Sequence, residues 1–377
     1  MNSEIKIRDS LHGYISLTGV EKELLETDEV QRLRNITQLG ATDRVYPSAT
    51  HNRFSHSLGV LYLANEFATQ LELSEEEIES ARIAGLLHDT GHGPYSHTSE
   101  KVAQTYGIDH EDISCSIVDD YEDIIPNPDQ VKDFIIGEAE TNIISGVLDV
   151  DRMDYLMRDG YNTGVKHGRI DTDTLFEYAT LTDQNDIAIQ EKASSSLHEV
   201  LWSRLNMYNT VYTHEAVRAF DSLLLDALTQ YAEDYSIEDL IREDEKTIYP
   251  KLIEYDSYQA FVNRDKPNTI VDIPRSEMNQ SVFNNINSKN YKEINNELRN
   301  EVGVSDIYVK LPLNVHDDLK DVPIQTESGE FTTLSQTSTL SQYVSEYDKM
   351  DKFTVYSDAS NKKEIIEACD RLYNVKP

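Results

Sequence analysis

Apolar residues recur at helical spacing through the first part of the chain. In residues 18–39 and 54–71 they stand three and four positions apart, which places them on one face of a helix. Gly40 follows the first stretch and is a plausible stop. The pattern therefore predicts two amphipathic helices here.

The next helix has a clear start. Ser74 precedes three acidic residues, with Glu77 at the third helical position, which is the arrangement of a capping box. The apolar positions continue to about Asp89, and Gly91 and Gly93 lie just beyond. We expect a helix from Ser74 to the neighbourhood of Asp89.

Two more helical stretches follow before residue 235. One is predicted over residues 140–159 and ends at Gly160, and a long one covers about 196–234, broken once. Residues 1–235 are therefore interpreted as one helical domain.

The pattern changes after residue 235. Residues 306–311 and 352–356 have strand character, and residues 361–373 resemble a short closing helix. The predicted fold is mainly α, a helical bundle over residues 1–235 with a smaller mixed α+β region, residues 236–377, packed on it.

Length and composition narrow the class of protein. A chain of 377 residues is long for one domain, and it has no run of 18 apolar residues that could cross a membrane. The start lacks a basic segment followed by an apolar one, so we expect no secretory signal. Cys115 and Cys369 are too few for a disulfide framework or a thiolate metal site. A cytoplasmic protein fits best.

The formal net charge is −35, which repels phosphate backbones and makes bulk nucleic-acid binding an unfavourable hypothesis. Two readings remain open: adaptation to a salty cytoplasm, or an ordinary solvated acidic surface. An anionic substrate would still need a few basic residues concentrated around it.

Histidines cluster in one part of the chain. Six of the eleven fall within residues 51–110, where even spacing would place about two. Within this stretch His88 and Asp89 stand at the end of the predicted helix, and His92 follows four residues later. A lone His-Asp pair is usually a helix end with its cap, but this pair is set in an apolar helix and followed by Gly-His-Gly-Pro, which favours a site.

A metal site needs ligands from more than one element. His56 near the start of the preceding helix and Asp151 in a later one complete a set with His88 and Asp89. Two imidazoles and two carboxylates suit Fe, Mn, Co, Ni or Zn better than Ca. Such a metal can polarise a phosphoryl group and lower the pKa of a bound water.

The order of these residues resembles the H…HD…D pattern of HD-domain phosphohydrolases. The surrounding sequence is similar to the deoxynucleoside triphosphate (dNTP) triphosphohydrolase branch of that family, which includes the mammalian sterile-alpha-motif/HD-domain enzyme. The similarity is dense from about residue 6 to 220 and is carried by DSLHG (9–13), QRLR (31–34), QLG (38–40), HNRFSHSLGV (51–60) and HDTGHGPYSH (88–97).

The resemblance implies cleavage between the α-phosphate and the 5′-oxygen, which releases nucleoside and triphosphate. It implies that His92 and His110 are the catalytic histidines, one of them giving a proton to the leaving oxygen. Glu100 stands where the family has an aspartate, and its longer side chain could orient either histidine.

The resemblance also implies substrate contacts. Arg53 matches a phosphate-binding arginine, and Arg152 replaces a phosphate-contacting lysine with a guanidinium that can bind two oxygens. The other matched positions would contact the sugar or crowd its 2′ position, and they are Gln38, Tyr155, Asp159 and Tyr212. Without the resemblance, Tyr155 would be read as core packing. The family's glutamine after the last tyrosine is Thr213 here, so base contacts are expected to differ.

Regulation and assembly are further expectations from the family. Gln31 and Arg34 match positions that bind an activating guanine nucleotide, although Glu26 and Arg8 depart from the pattern nearby. Both could equally be exposed polar residues of a helix. Self-association into a homo-oligomer is expected, as is Mg²⁺ accompanying the nucleotide.

Two alternatives to dNTP hydrolysis stay open. The same metal site would serve a phosphodiesterase or nuclease acting on nucleotides or short oligonucleotides, since specificity lies in pocket shape. A nucleotide-sensing module on a degenerate fold is disfavoured by the intact ligand set. The remaining histidines have no assigned role and are read as surface or structural residues: His12, His167, His198, His214 and His316.

Overall fold

The computed structural model describes residues 4–312, 318–337, 351–358 and 360–375. His316 lies outside these residues. The helices in chain order are α1 Gly19–Leu25, α2 Asp28–Arg32, α3 Arg53–Gln70, α4 Glu75–Leu87, α5 His97–Gln104, α6 His110–Asp120, α7 Pro128–Ile136, α8 Val150–Thr163, α9 Thr172–Glu177, α10 Ser194–Met207, α11 Glu215–Asp234, α12 Ile237–Arg242, α13 Glu245–Leu252, α14 Asp256–Asn263, α15 Gln280–Asn287, α16 Tyr291–Val302, α17 Leu334–Thr337 and α18 Lys362–Tyr373.

Short strands accompany these helices. They are β1 Ile5–Asp9, β2 Gly13–Leu17, β3 Ala179–Leu181, β4 Ile187–Gln190, β5 Asn268–Pro274, β6 Tyr308–Lys310, β7 Pro323–Gln325, β8 Phe331–Thr333 and β9 Lys352–Ser357. The mainly α fold is confirmed, and so are the two predicted strands and the closing helix. None of the helices in the described residues is long and apolar enough to cross a membrane.

The predicted helix over residues 18–39 is wrong. The chain forms α1, then starts again as α2, and continues into the 3-10 turn Leu33–Asn35. The break occurs at Thr27, whose hydroxyl accepts from the amide of Val30 and caps the second helix. Apolar spacing alone does not register such a restart.

Helices α3 and α4 pack against each other and carry most of the site. The predicted capping box at the start of α4 is confirmed: Ser74 and Glu77 each bond the other's backbone amide. Helix α3 begins after Asn52, whose side chain accepts from the amide of Ser55.

Helix α8 differs from the prediction at both ends. It starts after Asp149, which caps it by accepting from the amide of Arg152, and it ends at Gly164 in the left-handed region with φ +75°. Gly160 lies inside the helix. A Cβ there would stand 2.4 Å from the carbonyl oxygen of His167. The glycine is needed for close packing and does not stop the helix.

The long helical stretch around residue 210 is broken once, as predicted. A π-helical turn, Tyr208–Tyr212, separates α10 from α11. Helix α11 is buried along most of its length and forms the centre of a second apolar cluster with α13 and α14.

Within the described ranges the strands form three sheets. The hairpin β1-β2 is one, β5-β9-β6 is an antiparallel sheet with Val309 opposite Val355, and β3-β4-β7-β8 is the third. In the third sheet Ile189 of β4 pairs in parallel with Ile324 of β7. This sheet joins strands from both sides of residue 235, and the division at that residue stays a prediction.

Candidate metal and phosphate site

Three helix ends meet at a cluster of imidazoles and carboxylates. His56 lies in the first turn of α3, His88 ends α4 with Asp89 beside it, and Asp151 lies in the first turn of α8. His56 Nε2 is 2.8 Å from Asp151 Oδ1 and 3.6 Å from Asp89 Oδ2. His88 Nε2 is 3.4 Å from Asp89 Oδ1 and 3.6 Å from Asp151 Oδ1. The structure thus brings the four predicted ligands together.

Hydrogen bonds on the far side of each imidazole fix its orientation. His88 Nδ1–H donates to the carbonyl of Gly85 at 2.9 Å, and His56 Nδ1–H donates to Asp154 Oδ2 at 2.8 Å. Both rings therefore turn Nε2 towards the cluster, and His88 Nε2 is buried there without a hydrogen bond. Ring orientation set by an outer acceptor is characteristic of metal-bound histidine. His56, His88 and Asp89 offer ligand atoms close enough to share a metal ion, and so do Asp89, His92 and His110.

The electrostatics of the cluster favour a cation. Burial lowers the pKa of His56, but hydrogen bonds to Asp151 and Asp154 outweigh it and raise that pKa to about 10. Burial raises the pKa of Asp89, while Arg53, His88 and His56 bring it down to about 2. The negative field that holds a proton on His56 would equally attract a metal ion.

Asp154 was not singled out from the sequence, yet it organises the back of the cluster. It is completely buried and also accepts from His12 Nε2 at 2.6 Å and Arg158 Nε at 2.8 Å. Arg158 in turn bonds Asp9 at 2.9 Å. A Cβ on Gly59 would stand 2.0 Å from Asp154 Oδ1, so only glycine admits this carboxylate.

His92 and His110 lie beside the cluster with their rings stacked, the centroids 3.9 Å apart. Glu100 Oε1 accepts from His110 Nδ1 at 2.8 Å, and Glu100 Oε2 accepts from His97 Nδ1 at 2.8 Å. Glu100 therefore orients His110 and His97, whereas His92 lies 3.5 Å from Asp89 Oδ1. His97 was not predicted as part of the site, although the HDTGHGPYSH motif contains it.

The two stacked histidines have opposite protonation tendencies. Burial, followed by the charges of Arg53 and His110, holds the pKa of His92 well below its ordinary value. Burial also lowers the pKa of His110, but the hydrogen bond that its ring donates to Glu100 reverses the effect and raises that pKa. Divergent pKa values in one pair are typical of an acid and a base or neutral partner.

A cavity of about 340 Å³ opens in front of the cluster. Arg53 is almost fully buried in its wall. Its Nη1 is 2.7 Å from Asp89 Oδ2 and its Nε donates to Ser96 Oγ, whereas its Nη2 has no hydrogen-bond partner in the described part of the chain. Arg152 lines the same cavity and donates from Nη1 to the carbonyl of Val147 at 3.1 Å. Both predicted phosphate-binding arginines are therefore at the cavity.

A second cavity of about 470 Å³ adjoins the first and contains the predicted sugar-binding residues. Gln38 and Tyr155 line both, and the buried Gln38 Oε1 has no hydrogen-bond partner. Asp159 accepts from His51 Nε2 at 2.7 Å and from the Tyr212 hydroxyl at 2.6 Å. Both Asp159 oxygens are thus already engaged, and His51 is a residue that sequence reasoning left unassigned.

Gln31 and Arg34 lie elsewhere. Arg34 Nε donates to Gln31 Oε1 at 2.8 Å, its guanidinium stacks 3.5 Å from the Phe54 ring centre, and Gln31 Nε2 donates to the carbonyl of Leu25. They line neither cavity and are held by local contacts.

Two protein-family models match the chain. The HD domain model matches residues 53–159, which contain all four cluster residues, and the HD associated region model matches residues 170–377.

Relatives of known sequence support the same grouping. An uncharacterized protein of Methanocaldococcus jannaschii is 37% identical over 245 residues, covering 63% of this chain and 53% of that protein. A Dictyostelium discoideum protein named as a homolog of the deoxynucleoside triphosphate triphosphohydrolase SAMHD1 is 29% identical over 322 residues, 78% of this chain and 60% of its own length. The human enzyme of that name is 29% identical over 283 residues, 61% of this chain and 45% of its own. The chain thus spans about half of the length of these relatives.

Among solved structures, a phosphohydrolase from Bacteroides thetaiotaomicron superposes with a TM-score of 0.77 at 23% sequence identity, covering 94% of this chain and 99% of that one. A hypothetical protein from Aquifex aeolicus superposes with a TM-score of 0.76, also at 23% identity, covering 97% of this chain and 100% of that one. At this identity the similarity establishes a shared fold.

Proposed function

Because the chain belongs to the family of HD-domain proteins that carry the HD associated region, we propose that it is a metal-dependent phosphohydrolase. The substrate we propose is a dNTP, hydrolysed to deoxynucleoside and inorganic triphosphate. Relatives named as dNTP triphosphohydrolases support this choice of substrate.

The observation that carries the proposal is the position of the stacked His92–His110 pair beside the imidazole–carboxylate cluster. His92 Nε2 is 3.5 Å from Asp89 Oδ1, so a phosphate at the cluster would also meet the histidine pair. A hydrolase of phosphate esters needs a cation at the phosphoryl group and a proton donor at the leaving oxygen.

His56, His88, Asp89 and Asp151 would hold the metal, and the mixed nitrogen and oxygen donors suit Fe, Mn, Co, Ni or Zn. When bound, such an ion polarises the phosphoryl group and makes a coordinated water more acidic. Mg²⁺ is proposed to accompany the nucleotide phosphates.

The chain's own side chains supply the remaining functions. Arg53 and Arg152 bind triphosphate oxygens, and the unpartnered Nη2 of Arg53 is available to do so. His110, whose pKa is raised by Glu100, donates the proton to the 5′-oxygen as the ester bond breaks.

The adjoining cavity suits a deoxyribose. Gln38 offers an oxygen for the 3′-hydroxyl, Tyr155 packs beside the deoxyribose, and Tyr212 crowds its 2′ position. Asp159 accepts from the Tyr212 hydroxyl, and the second lone pair of a carboxylate oxygen accepts from the 3′-hydroxyl of the sugar. Activation by a nucleotide at Gln31 and Arg34, homo-oligomer formation and a cytoplasmic location remain part of the proposal.

Product analysis tests the proposal. Protein reconstituted with Mn²⁺ is incubated separately with each dNTP, each NTP and a dinucleotide, and products are resolved by ion-exchange chromatography. We expect triphosphate and deoxynucleoside from dNTPs and little turnover of NTPs. Pyrophosphate or monophosphate as the product would contradict it, and nucleotide monophosphate from the dinucleotide would favour a phosphodiesterase.

A further inference from the structure

A third cavity, of about 380 Å³, lies where α5, α11, α16 and β6 meet. It shares no lining residue with the cavity at the metal cluster. It adjoins the sugar cavity, with which it shares Lys101, Gln104, Tyr212, Arg218 and Asp221. We call it the cationic cavity, for the side chains described next.

Among its described lining residues, three are cations and one is an anion. Lys101 comes from α5, Arg218 and Asp221 from α11, and Lys310 from β6. The chain has a net charge of −35, so an excess of cations in one cavity is opposite to its overall composition. Positive charge concentrated in a cleft attracts anions from solution.

The two lysines compete for the same acceptor. Lys101 Nζ is 3.5 Å from Asp221 Oδ2, and Lys310 Nζ donates to that same oxygen. The other oxygen of Asp221 accepts from the hydroxyl of Thr98. Because each ammonium carries three N–H donors, the lysines hold more donors than this carboxylate can accept.

The burial of the Lys310 ammonium group costs free energy. Its side chain is 8% exposed on a short strand, and burying an ammonium is expensive unless it is fully paired. Burial, followed by the charges of Lys101 and Arg218, holds the pKa of Lys310 well below its ordinary value. An additional negative group in the cavity would relieve this repulsion.

Arg218 completes the cationic wall. Its two terminal nitrogens bond Asp351 and the carbonyl of Lys352, while its Nε is buried and has no hydrogen-bond partner among the described residues. The arginine is therefore held in place by Asp351 and by Lys352 at the start of β9, and it presents a rigid cation to the cavity.

The rest of the lining includes apolar and aromatic side chains. Among them are Leu225, Tyr291, Val309, Leu311 and Pro312. A volume of this size accommodates a small organic molecule rather than a bare ion alone.

We propose that the cationic cavity binds a phosphorylated small molecule. Its phosphate group contacts Lys101, Lys310 and Arg218, and its apolar part packs on Tyr291 and Leu311. Lys101 is adjacent to Glu100 on α5, which bonds His110, so an occupant would act on the helix that orients this histidine.

Equilibrium dialysis of metal-stripped protein tests the proposal. Without its ion, the metal cavity presents the carboxylates of Asp89, Asp149 and Asp151, which repel a phosphate and so disfavour binding there. The probes are inorganic phosphate, adenosine monophosphate and adenosine. We expect saturable binding of the monophosphate with a Kd below about 1 mM, weaker binding of phosphate and weakest binding of adenosine. Adenosine binding as tightly as the monophosphate, or no saturation by the monophosphate up to about 10 mM, would overturn the proposal.

Variants locate the bound molecule. Lys310→Gln and Arg218→Gln should each weaken monophosphate binding about tenfold or more, since each removes a charge-assisted hydrogen bond. Lys132→Gln is the matched control, because Lys132 pairs with Asp119 on a different surface. If Arg152→Gln abolishes binding and Lys310→Gln does not, the molecule sits at the metal cavity and the proposal is wrong.

A measurement on the unaltered protein covers the case in which the variants do not fold. Acetylation of individual lysines by acetic anhydride is followed by mass spectrometry with and without the monophosphate. The monophosphate should slow modification of Lys101 and Lys310 severalfold and leave Lys132 unchanged. Equal rates with and without it at Lys101 and Lys310 would overturn the proposal.

Discussion

Asp154 accepts hydrogen bonds from three side chains, which are His56, His12 and Arg158. We expect Asp154→Asn to weaken metal binding about 10- to 100-fold, because outer partners of a liganding imidazole set its orientation and basicity. Metal affinity is measured by competition with a fluorescent chelator. Asp173→Asn, an exposed acid with the same change of charge, should leave affinity unchanged. Equal affinities in both variants would remove Asp154 from the site.

His92 and Asp89 separate metal binding from turnover. Asp89→Ala should lose the metal and activity together, because it removes a proposed ligand and the partner of Arg53. His92→Ala should retain the metal and lose about 10²- to 10⁴-fold in kcat, because it removes the ring stacked on the proposed proton donor His110. Metal content and kcat are measured on the same preparations, with His167→Ala as the control. Full activity in both variants would contradict the assignment of the site.

The sequence predicts residues that the structure places at the face of the cluster, but it does not predict the residues behind them. His56, His88 and Asp89 stand out by spacing, whereas the His12–Asp154 and His51–Asp159 contacts join residues 142 and 108 positions apart. A pairing over such a distance leaves no periodic signal in the chain. It depends on how α8 packs against the β1-β2 hairpin and the segment before α3, which only the folded structure shows.

At the scale of single elements, N-cap residues locate the starts of helices more precisely than the spacing of apolar residues does. The start of α4 was located correctly because Ser74 and Glu77 carry a local signal. The start of α8 was placed about ten residues early, although Asp149 is an N-cap residue of the preferred kind. Apolar residues before Asp149 belong to a buried turn, and their spacing resembled a helix.

Gly160 allows a direct test of close packing within α8. In an exposed helix, replacing glycine by alanine stabilises by about 1 kcal/mol. Here the added Cβ would stand 2.4 Å from the carbonyl of His167 and 3.2 Å from the Cα of Gly168. Gly160→Ala should therefore destabilise the protein by about 1–3 kcal/mol.

The free energy of unfolding of Gly160→Ala is measured by urea titration. A variant more stable than the parent would mean that the segment after α8 moves away from the added Cβ at little cost. The close approach would then not contribute to the free energy of unfolding.

At the scale of the whole molecule, a residue after position 235 contacts the segments that hold the proposed site. Glu245 of α13 accepts from both the amide and the hydroxyl of Thr37, and from the amide of Tyr95 at 3.2 Å. Thr37 precedes Gln38, and its carbonyl accepts from Ser96, which holds Arg53. The C-terminal region thus supports the residues proposed to bind the substrate.

This contact should make stability depend on pH. Burial raises the pKa of Glu245 from 4.5 to about 7, against the opposing hydrogen bonds from Thr37 and Tyr95. The fold therefore favours the protonated carboxyl of Glu245. The contribution of this group to the free energy of unfolding is complete below about pH 4.5 and is lost as the pH rises through about 7. The loss amounts to at most about 3 kcal/mol, since each unit of pKa corresponds to about 1.4 kcal/mol.

Glu245→Gln isolates this contribution, because glutamine keeps the shape and the acceptor oxygen without ionising. We expect the variant to match the parent near pH 5 and to be more stable at pH 8, with the difference growing between these values. Thermal unfolding at a series of pH values provides the measurement. Glu238→Gln, an exposed residue of α12, should show no such growing difference. If Glu245→Gln is instead least stable relative to the parent at pH 8, Glu245 is ionised in the fold and its carboxylate charge is what joins the two regions.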